Sequence, residues 1–132
     1  MAEAYKFELV SPERLLVSES VESVVIPATE GEMTVMANHS PVMTTIKPGV
    51  VRVKTVSGKE DRYVVYGGFA DILPDVCTLL AESAVHVDSF NKSDIATRIQ
   101  AAREDVGSAP DDQSRTRAEE FLHHLAALED TV

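Results

Sequence analysis

The side chains able to do covalent or metal chemistry are few: one cysteine, Cys77, and four histidines, His39, His86, His123 and His124. Cys77 beside His39 or His86 would make a thiolate nucleophile. Cys77 stands inside Val76-Cys77-Thr78-Leu79-Leu80, however, where a thiol packs as a small hydrophobe. No serine sits in a G-x-S-x-G elbow. His123 and His124 are neighbours, about 100° apart on a helix, and neither belongs to an H-x-x-x-H pair. They read as solvated or interface histidines near a helix end, and no metal site is expected.

Phosphate cradles are missing too. The chain has no G-x-x-x-x-G-K-[ST] and no G-x-G-x-x-G. Gly58-Lys59 falls in a hairpin turn, and Gly67-Gly68 suits a sharp bend or bulge. Carboxylates pair at Glu30/Glu32, Asp111/Asp112, Glu119/Glu120 and Glu129/Asp130. The last three are ordinary solvated charge. Glu30 and Glu32 flank Gly31 at an expected loop tip, where charge serves docking or solubility equally well.

These residues must be carried by two kinds of structure. From Tyr5 to about Val87 the apolar period is two and β-branched residues abound. Strands are expected at Tyr5–Val10, Leu15–Ser18, Val21–Pro27, Met33–Met36, Val42–Ile46, Val51–Lys54, Arg62–Tyr66, Phe69–Leu73, Val76–Leu80 and Ala84–Val87. Ser57-Gly58 predicts a tight hairpin turn between two of them. Ten short strands at this spacing predict a β-sandwich or barrel. Beyond Ser89 the period becomes helical: Ile95, Ile99, Ala102 and Val106 form one stripe, with Asn91 as N-cap and Asp94 in the first turn. Gly107-Ser108-Ala109-Pro110 breaks that helix. A second starts at Asp111 or Asp112, with Ala118, Phe121, Leu122, Leu125 and Leu128 on one face. We therefore expect a β-sandwich domain over residues 1–88 and a two-helix antiparallel hairpin over residues 89–132.

Composition removes other classes. Hydrophobic residues are 44% of the chain but aromatics only 5%, so the core must be aliphatic. The formal net charge is -10, spread over both halves, which repels nucleic acid and anionic lipid. A single cysteine excludes an internal disulfide. No apolar run approaches the roughly 20 residues that span a bilayer, and no signal or transit peptide is read, so a cytosolic chain without direct membrane insertion is expected.

The run Glu30-Gly31-Glu32, then His39-Ser40-Pro41, then Ile46-Lys47-Pro48-Gly49, with Gly67-Gly68-Phe69 leading into Leu79-Leu80-Ala81-Glu82, resembles the epsilon subunit of the rotary ATP synthase. The resemblance covers essentially the whole chain. It implies a ten-stranded β-sandwich followed by a helical hairpin, with no catalytic residues and no cofactor. It implies a central-stalk rotor subunit that couples a ring of c subunits to the gamma subunit in a proton-translocating ATP synthase. Glu32 would meet the c-ring, and Ser11, His39 and Thr44 would face gamma. The hairpin would reach the catalytic alpha and beta subunits and regulate ATP hydrolysis. The location implied is the cytoplasmic face of the bacterial inner membrane, peripheral through the complex.

Some family members bind ATP through an I/L-D-x-x-R-A motif at the first helix. The matching positions here are Phe90-Asn91-Lys92-Ser93-Asp94-Ile95. Asn91 replaces the acid, and Asp94 stands where a cation should meet phosphate. No ATP site is expected; binding below millimolar in a calorimetric titration would reverse that. The leading alternative is a free-standing sandwich that binds a small molecule or peptide between its sheets, under a helical lid. A cysteine or metal hydrolase with an accessible Cys77 comes third.

Overall fold

A computed structural model describes residues 3–132. They fall into two compact units, meeting in sequence at Asp88 and Ser89.

The first unit contains nine strands: β1 (Tyr5–Val10), β2 (Leu15–Ala28), β3 (Gly31–Met36), β4 (Val42–Ile46), β5 (Gly49–Thr55), β6 (Glu60–Val65), β7 (Gly68–Ile72), β8 (Val76–Ala81) and β9 (Ala84–His86). A single 3-10 turn, Val87–Ser89, follows. The expected ten strands are nine because Leu15–Ser18 and Val21–Pro27 are one strand. The polar run Ser18-Glu19-Ser20 hides this continuity. Glu19 aligns with Phe7 across the ladder, on the face that Val17 and Val21 bury. An acid thus occupies an inward position, and its Oε1 is buried without a partner.

Long β2 serves both layers of the sandwich. Residues 15–21 pair with β1; residues 21–28 pair with β3 and β5 and touch β4 at Ala28–Ile46. A register shift between Val21 and Ser23 marks the crossing, as a β-bulge does where a strand must bend. One layer runs β1, β8, β7, β4. The other runs β3, β2, β5, β6, β9. Period-two residues from both meet inside: Phe7, Ile72 and Leu79 from one side, Ile26, Val35 and Val51 from the other, all fully buried. Burial of each such side chain contributes about 1.5–3 kcal/mol.

The tight turn expected at Ser57-Gly58 is present, with Gly58 N–H donating to Thr55 O at 3.0 Å. Four residues, Val56–Lys59, connect β5 to β6, with Thr55 N–H donating to Lys59 O at 2.9 Å. Gly68 fixes the start of β7. Its φ is +131°, and a Cβ there would lie 2.0 Å from the backbone oxygen of Leu80. The backbone of β7 therefore approaches β8 closer than any side chain permits.

The second unit is α1 (Lys92–Ser108) and α2 (Asp112–Thr131), packed on each other through a short loop. Both caps fall where the sequence puts them. Asn91 Oδ1 accepts from Ser93 N–H at 2.9 Å, and Asp111 Oδ1 from Ser114 N–H at 2.7 Å. The first helix ends at Ser108, inside the expected break Gly107-Ser108-Ala109-Pro110, where proline has no N–H to continue the ladder. Ile95, Ile99, Ala102, Leu125 and Leu128 are buried. Phe121, expected on that stripe, is instead 38% exposed, so the buried seam is narrower than the apolar pattern suggests.

Candidate functional site

The first unit carries its accessible features on its outer surfaces. At one end, Thr29 and Glu30 form the β2–β3 turn. Glu32 lies just inside β3, opposite Pro27, rather than at the apex. Its side chain is exposed, and its Oε2 lies 3.4 Å from Arg52 Nη2 on β5. This end is tied to β4. Thr29 N–H and its hydroxyl both donate to Thr45 O, at 3.0 and 2.9 Å, and Lys47 N–H donates to Pro27 O at 3.0 Å. The Thr29 and Thr45 hydroxyls also share a hydrogen bond. Backbone bonds in both directions hold the β2–β3 hairpin against the strand that carries Thr44.

A groove of about 900 Å³ opens on the outer face of β4, β7, β8 and β1. The register explains its apolar wall. Thr45, Phe69, Leu80 and Val10 align across the four strands, so their side chains share one face. Met43 stands in the next row, 65% exposed, and Phe69 is 39% exposed. Thr44 and Ser11 both line the groove. Ser11 is held at the rim by a tight turn: its N–H donates to Arg14 O at 2.9 Å, and its carbonyl accepts from Arg14 N–H at 3.3 Å.

His39 does not line this groove. It sits in the β3–β4 loop, its Nδ1 2.7 Å from Ser40 O. The loop is pinned by Asn38, whose N–H donates to Pro74 O at 2.8 Å and whose φ is +64°. The structure thus brings Ser11 and Thr44 together and leaves His39 and Glu32 outside. Sequence reasoning missed Met43 and Phe69, the most exposed apolar side chains of the groove. Both lie in strands buried on the opposite face, and the one available signal was that residues 69–73 carry apolar side chains on both faces, Phe69 and Leu73 on one and Ala70 and Ile72 on the other.

A second cluster surrounds His86. Its Nε2 lies 3.2 Å from Asp61 Oδ1, and its Nδ1 accepts from Asp88 N–H at 3.1 Å. The bond accepted at Nδ1 puts the imidazole proton on Nε2, facing Asp61. Tyr63 meets the ring edge-on at 5.0 Å. Burial raises the Tyr63 hydroxyl pKa, with the charges of Asp61 and Glu19 adding to the effect.

The remaining chemistry of the sequence is shut away. Cys77 is wholly buried, and burial, helped by the charge of Asp71, pushes its thiol up to about 12. A thiol so placed is not a nucleophile at neutral pH, which removes the cysteine-hydrolase reading. Tyr5 is raised in the same way and donates to Val35 O at 2.5 Å. Among the described residues no group of three acids, cysteines and histidines is placed to hold a metal. Nor, among the described residues, is any helix long and apolar enough to cross a membrane. The space between the layers is filled by side chains that are mostly aliphatic, with Tyr5, Phe7 and Tyr63 among them, against the pocket that a free-standing binding sandwich would need.

An outward apolar groove, a charged corner and two trailing helices are the features that the fold leaves accessible. The model of the ATP synthase delta/epsilon chain β-sandwich domain matches residues 4–87. Chains named ATP synthase epsilon chain from Mesorhizobium japonicum and Rhizobium meliloti are 70% and 64% identical over all 132 residues, covering 98% of each relative. A chain in the Euglena gracilis mitochondrial ATP synthase structure, described as OSCP/F1/c-ring, superposes with a TM-score of 0.74 at 28% identity. It covers 97% of this chain and 81% of that one. A Tetrahymena thermophila chain, at 13% identity and a TM-score of 0.63, shares the fold across 98% of this chain and 96% of its own. This chain belongs to the family of ATP synthase epsilon chains, and as such is a non-catalytic subunit of the synthase.

Proposed function

We propose that the chain works in the central stalk, where its first unit clasps the gamma subunit through the groove and rests its Glu32 corner on the ring of c subunits. The single observation that carries this is the apolar groove between Ser11 and Thr44, walled by exposed Met43 and Phe69. Exposed apolar surface on the outer face of a sandwich favours a protein partner over water. His39 lies outside the groove, so its contact with gamma would be made at the margin. The mechanism is mechanical. Proton flow turns the ring, the sandwich passes the torque to gamma, and gamma drives the catalytic subunits. The place of action is the cytoplasmic face of the bacterial inner membrane, held there by the complex. The hairpin regulates hydrolysis by reaching the alpha and beta subunits. Its first helix takes no nucleotide: Asn91 is engaged as the N-cap, and Asp94 is ion-paired to Arg98 at 3.1 Å.

A tagged chain should bring gamma, the c-ring and the alpha and beta subunits through co-purification. Met43→Glu should fold normally yet lose gamma, because a carboxylate would be desolvated in the interface at a cost of several kcal/mol. Retention of gamma by the folded variant rules out the groove. Truncation after residue 88 should raise hydrolysis by the assembled complex, and an unchanged rate removes the tail from regulation.

A further inference from the structure

His86 is the last residue of β9, and three residues later the chain passes into the second unit. Its ring is used on both sides. Nε2 faces Asp61, which is 19% exposed, and Nδ1 accepts the backbone N–H of Asp88 in the 3-10 turn. The charged and titratable groups around it come from three elements. β6 supplies Asp61 and Tyr63, the turn supplies Asp88, and β2 supplies Glu19, whose charge reaches Tyr63. The gamma-facing groove contains none of these residues.

We propose that His86 is a proton-operated clasp on the turn leading to the helical hairpin: neutral, it holds the turn through Asp88 N–H; protonated, it lets that bond go. The exchange follows from the donor inventory. A neutral imidazole has one acceptor nitrogen, and here it is spent on Asp88 N–H; an imidazolium has two donors and no acceptor. The added proton on Nδ1 would point at the amide hydrogen it formerly received. Asp88 Oδ2, 3.6 Å from Nδ1, is the group the new donor would turn to, and that requires the turn to shift. On the other side, Nε2–H would keep Asp61 through a charge-assisted bond. Acid would thus keep β9 on β6 while freeing the first residues of the connector.

The test uses nitrogen-15 NMR on the full chain, with no partner present, so its outcome is independent of the stalk reading. At neutral pH the His86 ring should show the Nε2–H tautomer. As the ring titrates, the Asp88 amide resonance should move with the same midpoint. Its exchange, corrected for intrinsic pH dependence, should quicken roughly threefold to tenfold, the worth of one backbone hydrogen bond. His86→Asn, which keeps an acceptor near the Nδ1 position, should hold the Asp88 amide protected at both pH values. An Nδ1–H tautomer, or an Asp88 amide that titrates alike in wild type and in His86→Asn, overturns the proposal. If His86→Asn fails to fold, the tautomer and midpoint of the wild-type chain decide alone.

Discussion

The two units are built from the same acidic, aliphatic composition, yet they are held together differently. In the sandwich, β-hairpins are stitched together by ladders between residues far apart in sequence: Phe7 lies beside Cys77, and Val21 beside Thr55. In the hairpin the ladder is local, and five buried side chains, from Ile95 to Leu128, keep two helices of 17 and 20 residues together. Most of the stability of such helices comes from the packing of their apolar faces. Non-local pairing makes a body that resists local opening, whereas local pairing makes one that can be opened piecemeal. The hairpin is therefore the unit expected to open at the lower free energy.

The sharpest way to break this contrast is Gly68→Ala. The new methyl would meet the backbone oxygen of Leu80 at 2.0 Å, and φ is +131°. Neither β7 nor β8 can yield without unzipping a ladder, so a loss of more than about 4 kcal/mol is expected. Chemical denaturation followed by circular dichroism measures it; a loss under about 1 kcal/mol would mean the sandwich bends more readily than its pairing suggests.

Leu125→Ala should act more mildly and on one unit. Leu125 is fully buried, and leucine truncations of this kind cost about 2–4 kcal/mol. Hydrogen exchange should quicken throughout α1 and α2 while β1 to β9 keep their protection. Equal acceleration in both units would show that they open as one.

The smallest effect is a titration. Hydrogen bonds from the Ser114 N–H and hydroxyl hold the Asp111 carboxyl below its usual range. A depressed carboxylate contributes stability that is complete above its unfolded value of about 3.9 and is lost as pH falls through the folded value. Helix content should therefore begin to fall in acid below about pH 4 at α2 in particular, as followed by residue-resolved NMR. In Asp111→Asn, which caps without a charge, that acid-dependent component should vanish, and its persistence would assign the transition to other groups.

Much of this contrast is legible in the sequence, because period and caps are local facts. The change of period near residue 90, the Asn91 cap and most strand cores follow from residue type alone. Three things do not. The union of Leu15–Ser18 with Val21–Pro27 is concealed by Glu19, an acid placed inward where the pattern demands an apolar residue. The groove is concealed because Met43 and Phe69 look like core residues, and only the strand register reveals which face is left uncovered. The His86–Asp61 contact joins residues 25 positions apart with no motif between them. Each of these depends on which strands become neighbours, and alternation along one strand carries no information about that.

Long β2 has a mechanical consequence. Its 14 residues amount to up to about 45 Å of continuous backbone, running from the rim beside Ser11–Arg14 to the hairpin that presents Glu32. A force applied at the acidic corner need not cross from one layer to the other through side-chain packing, which is soft; it travels along covalent bonds, which scarcely stretch. The strand acts as a tie-rod, and the register shift at Val21–Ser23 is the place along it where compliance would concentrate.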